Sequence, residues 1–432
     1  MHSDRLRREF WRLALPMMLS NLSVPLLGMV DTAVVGHLEH PYYLGGVALG
    51  GTIFSFLYWG FGFLRMGTTG ITAQALGKDD GLQVNATLGR ALLLALLLAG
   101  ILILSRKLVS ELAFALLQGS PAAEAQARRY VAIRIFSAPA TLINYACIGW
   151  FIGLQNTRLP LALMLLANLC NIVLDFWFVW VWHWQVAGVA LASVLAEYLG
   201  TAVALPLAWR RWRQRPTPAW RQIVQWREWR RLIAVNLHLF VRTLLLLFAF
   251  AFFTAQSARL GDVILAANTI LLNLQSFMAY VLDSFAHAAE ALAGRAKGDG
   301  NRILLRRTVR LAAVFSLGFA ALFSLTYAVG GHRLIALLTD QEPVRRMAVQ
   351  FLLWAVILPL ISAWSFVLDG VFIGLTRARE MRNVMAVSVL LVYLPAWWWS
   401  RPWGNTGLWF AFCAFMAVRS LGMELCRRRL GI

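Results

Sequence analysis

Apolar residues recur along this chain in twelve long runs, separated by short polar segments rich in arginine. Roughly 20 apolar residues suffice to cross a bilayer as a helix. The pattern predicts spanning helices over 13–36, 45–76, 84–105, 129–154, 160–184 and 186–208, then over 232–258, 263–294, 309–330, 348–375, 383–399 and 405–425. Several exceed the crossing length, which implies tilt or extension beyond the hydrocarbon. The first run is too long for a signal peptide and lacks a small-residue cleavage site, so it reads as a retained span.

Composition agrees: of 432 residues, 60% are hydrophobic and only 14% charged, as expected of an all-α polytopic membrane protein. The formal charge of +20 does not signal a nucleic-acid partner, because the arginines lie in short loops between spans. One side collects Arg5, Arg7, Arg8 and Arg12, Lys78, Arg158, the linker arginines Arg210 to Arg231, Arg295 to Arg307, Arg377 to Arg382, and Arg427 to Arg429. The opposite loops His37 to Gly46 and His183 to Val186 have no Lys or Arg. The positive-inside rule then puts both termini in the cytoplasm. The segment 209–231, with alternating Trp and Arg, suits an interfacial stretch lying on anionic headgroups, and it divides a bundle at 1–208 from one at 232–432. Cys147, Cys170, Cys413 and Cys426 have neither disulfide nor metal spacing and read as small apolar residues.

The chain repeats. Gly149-Trp-Phe-Ile-Gly-Leu-Gln-Asn-Thr-Arg158 returns 221 residues later as Gly370-Val-Phe-Ile-Gly-Leu-Thr-Arg-Ala-Arg379, with six of ten positions identical. Ala75 and Gly77 map onto Ala296 and Gly298 at the same offset. Two six-helix bundles related by a pseudo-two-fold axis along the membrane normal follow, because six spans bring the chain back to its starting side.

Ionisable groups inside spans are costly and usually face a protein interior or a water-filled path. Asp31 lies about 8 Å, and Asp175 roughly 13 Å, below the outer ends of spans 1 and 5 by helical rise. Asn171 shares a helix face with Asp175, and Ser193 in span 6 lies at a similar depth. Two carboxylates, an amide oxygen and a hydroxyl suit Na⁺; the acids equally suit a shared proton, and a hydrogen-bonded packing cluster is the plainer alternative. Glu197, one turn beyond Ser193, either joins them or faces an interface. Pro25, six residues before Asp31, marks a hinge. Arg65, Arg242, Asp283 and Asp369 fall in the inner half, where they could form an ion-pair network holding the halves together or a static structural one. His287 with Glu290 is a weak metal signal.

Gly28-Met-Val-Asp31-Thr-Ala-Val-Val-Gly36-His37-Leu38, Phe63-Leu-Arg65-Met-Gly-Thr-Thr-Gly70, Asn171-Ile-Val-Leu-Asp175, Leu282-Asp283-Ser-Phe-Ala286 and Leu368-Asp369-Gly-Val-Phe-Ile-Gly374 resemble the multidrug and toxic compound extrusion (MATE) transporters over nearly the whole chain. The resemblance implies a monomeric antiporter of the bacterial inner (plasma) membrane. It would export small amphipathic or cationic compounds against H⁺ or Na⁺, with H⁺ preferred and no cofactor. It also implies an ion-coupling site at Asp31 and Asp175, with Asn171 and Ser193 as neighbours. A span-7 acid that some relatives use for Na⁺ is replaced here by Arg242-Thr243, while Asp369 matches a span-10 acid of that branch. The alternatives are a lipid-linked precursor flippase of the same superfamily and, more remotely, an intramembrane enzyme. The chain has no Ser/His/Asp set, paired-His motif or phosphate loop to support an enzyme.

Overall fold

The computed structural model describes residues 2–36, 38, 40–117 and 120–431; His37 and Glu39 of the first outer loop lie outside the described residues. Twelve helices are long and apolar enough to cross a membrane. The first six spans are Asp4–Gly36, Pro41–Gly77, Gly81–Leu104, Pro121–Gly153, Arg158–Val181 and Gln185–Trp212. The second six are Trp220–Arg259, Asp262–Gly298, Arg302–Leu338, Glu342–Gly374, Ala378–Trp403 and Asn405–Arg429. Among the described residues there is no strand.

Most spans run past their apolar stretch because polar caps and charged turns continue the helix beyond the hydrocarbon. Span 4 starts at Pro121, not near 129: Ser120 accepts from the Ala123 amide at 3.3 Å, and Pro121 sits where its missing N–H costs nothing. Arg128 then pairs with Glu124 at 2.9 Å and with Glu111 at 3.0 Å.

Packing divides the chain into two compact units: residues 19–233, and residues 1–18 with 234–432. The first 18 residues group with the second unit, where Phe10 and Trp11 pack on Phe285 and Phe315 and Glu9 pairs with Arg295 at 3.1 Å. The linker groups with the first unit. Buried Asn85 and Arg90 of span 3 donate to its carbonyls, and Arg231 donates to Gln74 at 3.0 Å. Trp209, Trp220 and Trp226 remain exposed, in keeping with an interfacial surface. All four cysteines are free.

The repeat is visible atom by atom. A Cβ on Gly149 would strike the Arg65 carbonyl, and one on Gly370 the Ala286 carbonyl, again 221 residues on. Gly153 and Gly374 stand one turn further along, so each unit docks two helices through a small-xxx-small stripe that lets backbones approach closely. Left-handed residues recur in register too, with Gln155 at φ +60° against Thr376 at +54°, and Asp79 at +55° against Gly300 at +69°. Asp80 and Asn301 each cap the following span, at 2.9 Å from the Gln83 and Leu304 amides. In the second unit a satisfied buried network locks three spans: Asn268 bonds Ser257 (2.8 Å), Asn405 (2.7 Å) and Trp409 (2.9 Å).

Gly153→Ala and Gly374→Ala are each expected to destabilise the protein by about 1–3 kcal/mol through overpacking. Gly100→Ala, with open space around its Cβ, should be neutral. Thermal unfolding of the three purified variants checks this, and equal stabilities would show that the stripes are not close-packed.

Candidate functional site

Spans 1 and 5 are joined by a ladder of polar side chains. Ser20 Oγ donates to Met164 Sδ at 2.9 Å, Asn168 Nδ2 to Ser23 Oγ at 3.0 Å, and Asn171 Nδ2 to Asp31 Oδ1 at 3.3 Å. Asn168, Asn171 and Asp175 fall at i, i+3 and i+7, so helical periodicity alone sets them on one face. Asn171 Nδ2 also donates to Asp175 Oδ2, and a single amide group thereby bridges two carboxyls. Asp175 is fully buried and Asp31 half-buried. The two carboxyls lie within hydrogen-bond reach of each other. The second oxygen of Asp175, Oδ1, is buried without a hydrogen-bond partner. Immediately beyond, Trp177–Val181 widens into a π-helical turn, a distortion frequent at functional sites.

Ser193 is buried beside Tyr130, whose ring also lies in the field of both acids. Among the described residues no hydrogen bond joins Ser193 to either acid. Span 1 is helical from His2 to Gly36, and Pro25 removes one backbone hydrogen bond from it without breaking the helix.

Sequence reasoning missed the cation of this pocket. Arg134 lies over the rings of Phe54 (5.6 Å) and Tyr130 (5.8 Å), and its Nε has no hydrogen-bond partner. Its charge reaches Asp31, Asp175 and Glu197. Glu197 is itself held, with Oε2 accepting from Asn144 Nδ2 at 3.0 Å while Thr201 Oγ1 donates to Asn144 Oδ1 at 3.1 Å. Three carboxyls thus share the field of one guanidinium. Arg134 falls inside the predicted fourth span, so the rule that picked out the acids applied to it as well.

The inner charges separate by unit. In the second, Arg242 and Arg419 both donate to Asp369 Oδ2, and all three residues are buried. Asp283 lies close enough for its charge to act on Arg419. Arg419, also missed, is an arginine within the last span and stands 5.9 Å from the Phe366 ring centre. Arg65 belongs to the first unit, where its carbonyl accepts from Thr69 at 2.9 Å and its charge reaches Tyr145. His287 Nδ1 is 3.5 Å from Glu290 Oε2, and among the described residues no three His, Cys, Asp or Glu gather to hold a metal.

This geometry can be set beside known proteins. The sequence model of the MatE family matches the chain twice, over residues 16–177 and 239–398. DNA damage-inducible protein F of Escherichia coli (strain K12) is 44% identical over 98% of this chain and 92% of its own length. A probable multidrug resistance protein NorM of Rhizobium meliloti (strain 1021) is 23% identical over 95% of this chain and 90% of its own. A solved structure of a multidrug resistance MATE family transporter of the MOP superfamily, in an outward-facing conformation, superposes with a TM-score of 0.90. That superposition covers 99% of this chain and 96% of the other at 18% identity, a likeness of fold. With twelve helical spans and a family match covering both repeats, the chain belongs to the MatE family of membrane transporters, which is not an enzyme family.

Proposed function

We propose that this protein is a secondary active antiporter exporting amphipathic, cationic compounds in exchange for H⁺ by alternating access. It would work as a monomer in the bacterial inner membrane with both termini cytoplasmic. The observation that carries the reading is the bridged pair Asp31–Asn171–Asp175 with an orphaned, buried Asp175 oxygen. A buried carboxylate oxygen without a donor is costly until a proton or cation meets it. A proton suits the site better than Na⁺, because Asn171 turns its N–H donors, not its carbonyl, toward both acids. The ionised pair attracts a cationic compound from the cytoplasm. Protonation from outside then removes the charge, weakens the Asn171–Asp31 rung and lets span 1 bend at Pro25, so the compound leaves outward. Exchange is coupled because proton and compound bind the two states with different affinity. The name of the Rhizobium relative supports a substrate range of more than one compound.

We further propose that the Arg242–Asp369–Arg419 cluster is structural, a fixed pin between spans 7, 10 and 12.

In proteoliposomes, efflux of a cationic dye is expected to follow an imposed pH gradient and to ignore a Na⁺ gradient at equal pH. The reverse result would assign Na⁺ to the acid pair. Asp31→Asn should abolish coupled efflux while leaving expression and melting temperature near wild type, and undiminished drug resistance in cells carrying it would refute the assignment. Asp369→Ala leaves two buried guanidiniums uncompensated and should cost about 3–5 kcal/mol, much of it regained when Arg242 and Arg419 also become Leu. A single variant melting like wild type would remove the pin.

A further inference from the structure

The two repeats finish their arginine-rich face differently. In the first unit the chain covers its own groove, where span 3 starts and span 6 ends. Asn85 Nδ2 donates to the carbonyls of Trp212 (2.9 Å) and Pro216 (3.1 Å). Arg90 Nε and Nη2 donate to those of Ile223 (3.0 Å) and Gln222 (2.6 Å). A Cβ on Gly81 would touch Pro216 at 3.1 Å, so the linker seats closely. The buried donors of this groove are satisfied by linker carbonyl oxygens.

In the second unit, 221 residues on, the matching positions surround an open cavity of about 340 Å³. Leu76, Gly81, Asn85 and Asn156 of the first groove become Lys297, Arg302, Arg306 and Arg377 of the second. Four uncharged residues are exchanged for four cations. The apolar floor is kept: Leu305 and Leu375 stand where Val84 and Leu154 do. Arg377 shares one charge with Glu380 at 3.3 Å, and Arg306 Nη2 reaches the Gly431 carbonyl at only 3.4 Å. The cavity therefore keeps a surplus of donors and of positive charge, and calls for a ligand that is anionic and rich in acceptors.

A second feature narrows the ligand. Ile303, beside Arg302, is 66% exposed, and Val314 and Leu317 continue an apolar stripe up the outer face of span 9. A ligand seated among the cations thus lies against a surface made for acyl chains.

We propose that this cavity binds the phosphate of an anionic phospholipid, held by Lys297, Arg302, Arg306 and Arg377, with its chains along Ile303 and Val314. The phosphate oxygens take the part that linker carbonyls play in the first unit. A basic pocket between spans at the membrane edge is suited to such headgroups.

The test uses the purified full-length protein and three probes: dihexanoyl phosphatidylglycerol, dihexanoyl phosphatidylcholine and inorganic phosphate, each titrated against melting temperature. Phosphatidylglycerol should stabilise the wild type and phosphatidylcholine should not. Arg302→Gln with Arg306→Gln should weaken phosphatidylglycerol binding about thirty-fold, on the basis of two basic side chains lost near the headgroup. Arg302→Lys with Arg306→Lys should retain most of it. Should the glutamine pair not fold, Lys297→Gln with Arg377→Gln gives the same readout. Equal binding of both lipids, or unchanged binding by a folded glutamine pair, would overturn the proposal. Stabilisation by inorganic phosphate with no gain from phosphatidylglycerol would reassign the cavity to a soluble anion and overturn the lipid assignment.

Discussion

A charge buried in a low-dielectric helix bundle has to be met, and the identity of the group that meets it decides whether the charge is fixed or exchangeable. Asp175 illustrates the exchangeable case: one oxygen is bridged through Asn171 to a second acid, and the other has no protein donor. Asp369 illustrates the fixed case, with two guanidiniums on one oxygen. A proton can come and go at the first. At the second, two strong donors that stay protonated at any physiological pH leave it little room.

This division of labour is laid over a duplicated scaffold. The stripes Gly149–Gly153 and Gly370–Gly374, the left-handed turns and the Asp80 and Asn301 caps repeat at a constant offset, so the backbone is used twice. The chemistry is not. Residues 221 along from Asp31 and Asp175 are Phe252 and Ala396, and those 221 before Arg242 and Asp369 are Asn21 and Ile148. Backbone contacts fix the fold, and side chains at positions free of those contacts carry function.

The same separation explains what could be read from residues alone. All twelve spans, the repeat and the acids stand out because hydropathy, glycine spacing and an intramembrane charge are local properties of the chain. Span 4 was placed eight residues late because its first turns, with Glu124, Arg128 and Arg129, are polar, although Ser120-Pro121 was a legible start. Arg134 and Arg419 were in plain view as charges within apolar runs. Docking of the linker onto span 3 was not legible: its acceptors are backbone carbonyls, which carry no residue signature. The grouping of residues 1–18 with the second unit rests on the stacking of Phe10 and Trp11 against distant rings, which no periodicity encodes.

Span 1 is the element that a proton could move. It is the least buried of the twelve, with 24% of its apolar window covered, and Leu19, Val24 and Met29 are exposed. Its outer half is tied to span 5 by side-chain rungs, each worth about 0.5–1.5 kcal/mol, or somewhat more where a carboxylate accepts. Changing the charge on Asp31 alters a term of that same size, as one pH unit at a titrating group corresponds to about 1.4 kcal/mol. The glycine stripes, by contrast, hold backbones in van der Waals contact along a turn of helix, and overpacking them costs more than a single rung. A protonation event is therefore large enough to redistribute span 1 between conformations and too small to disturb the scaffold it leans on. That ordering of energies allows one proton to be converted into a movement in an otherwise rigid bundle.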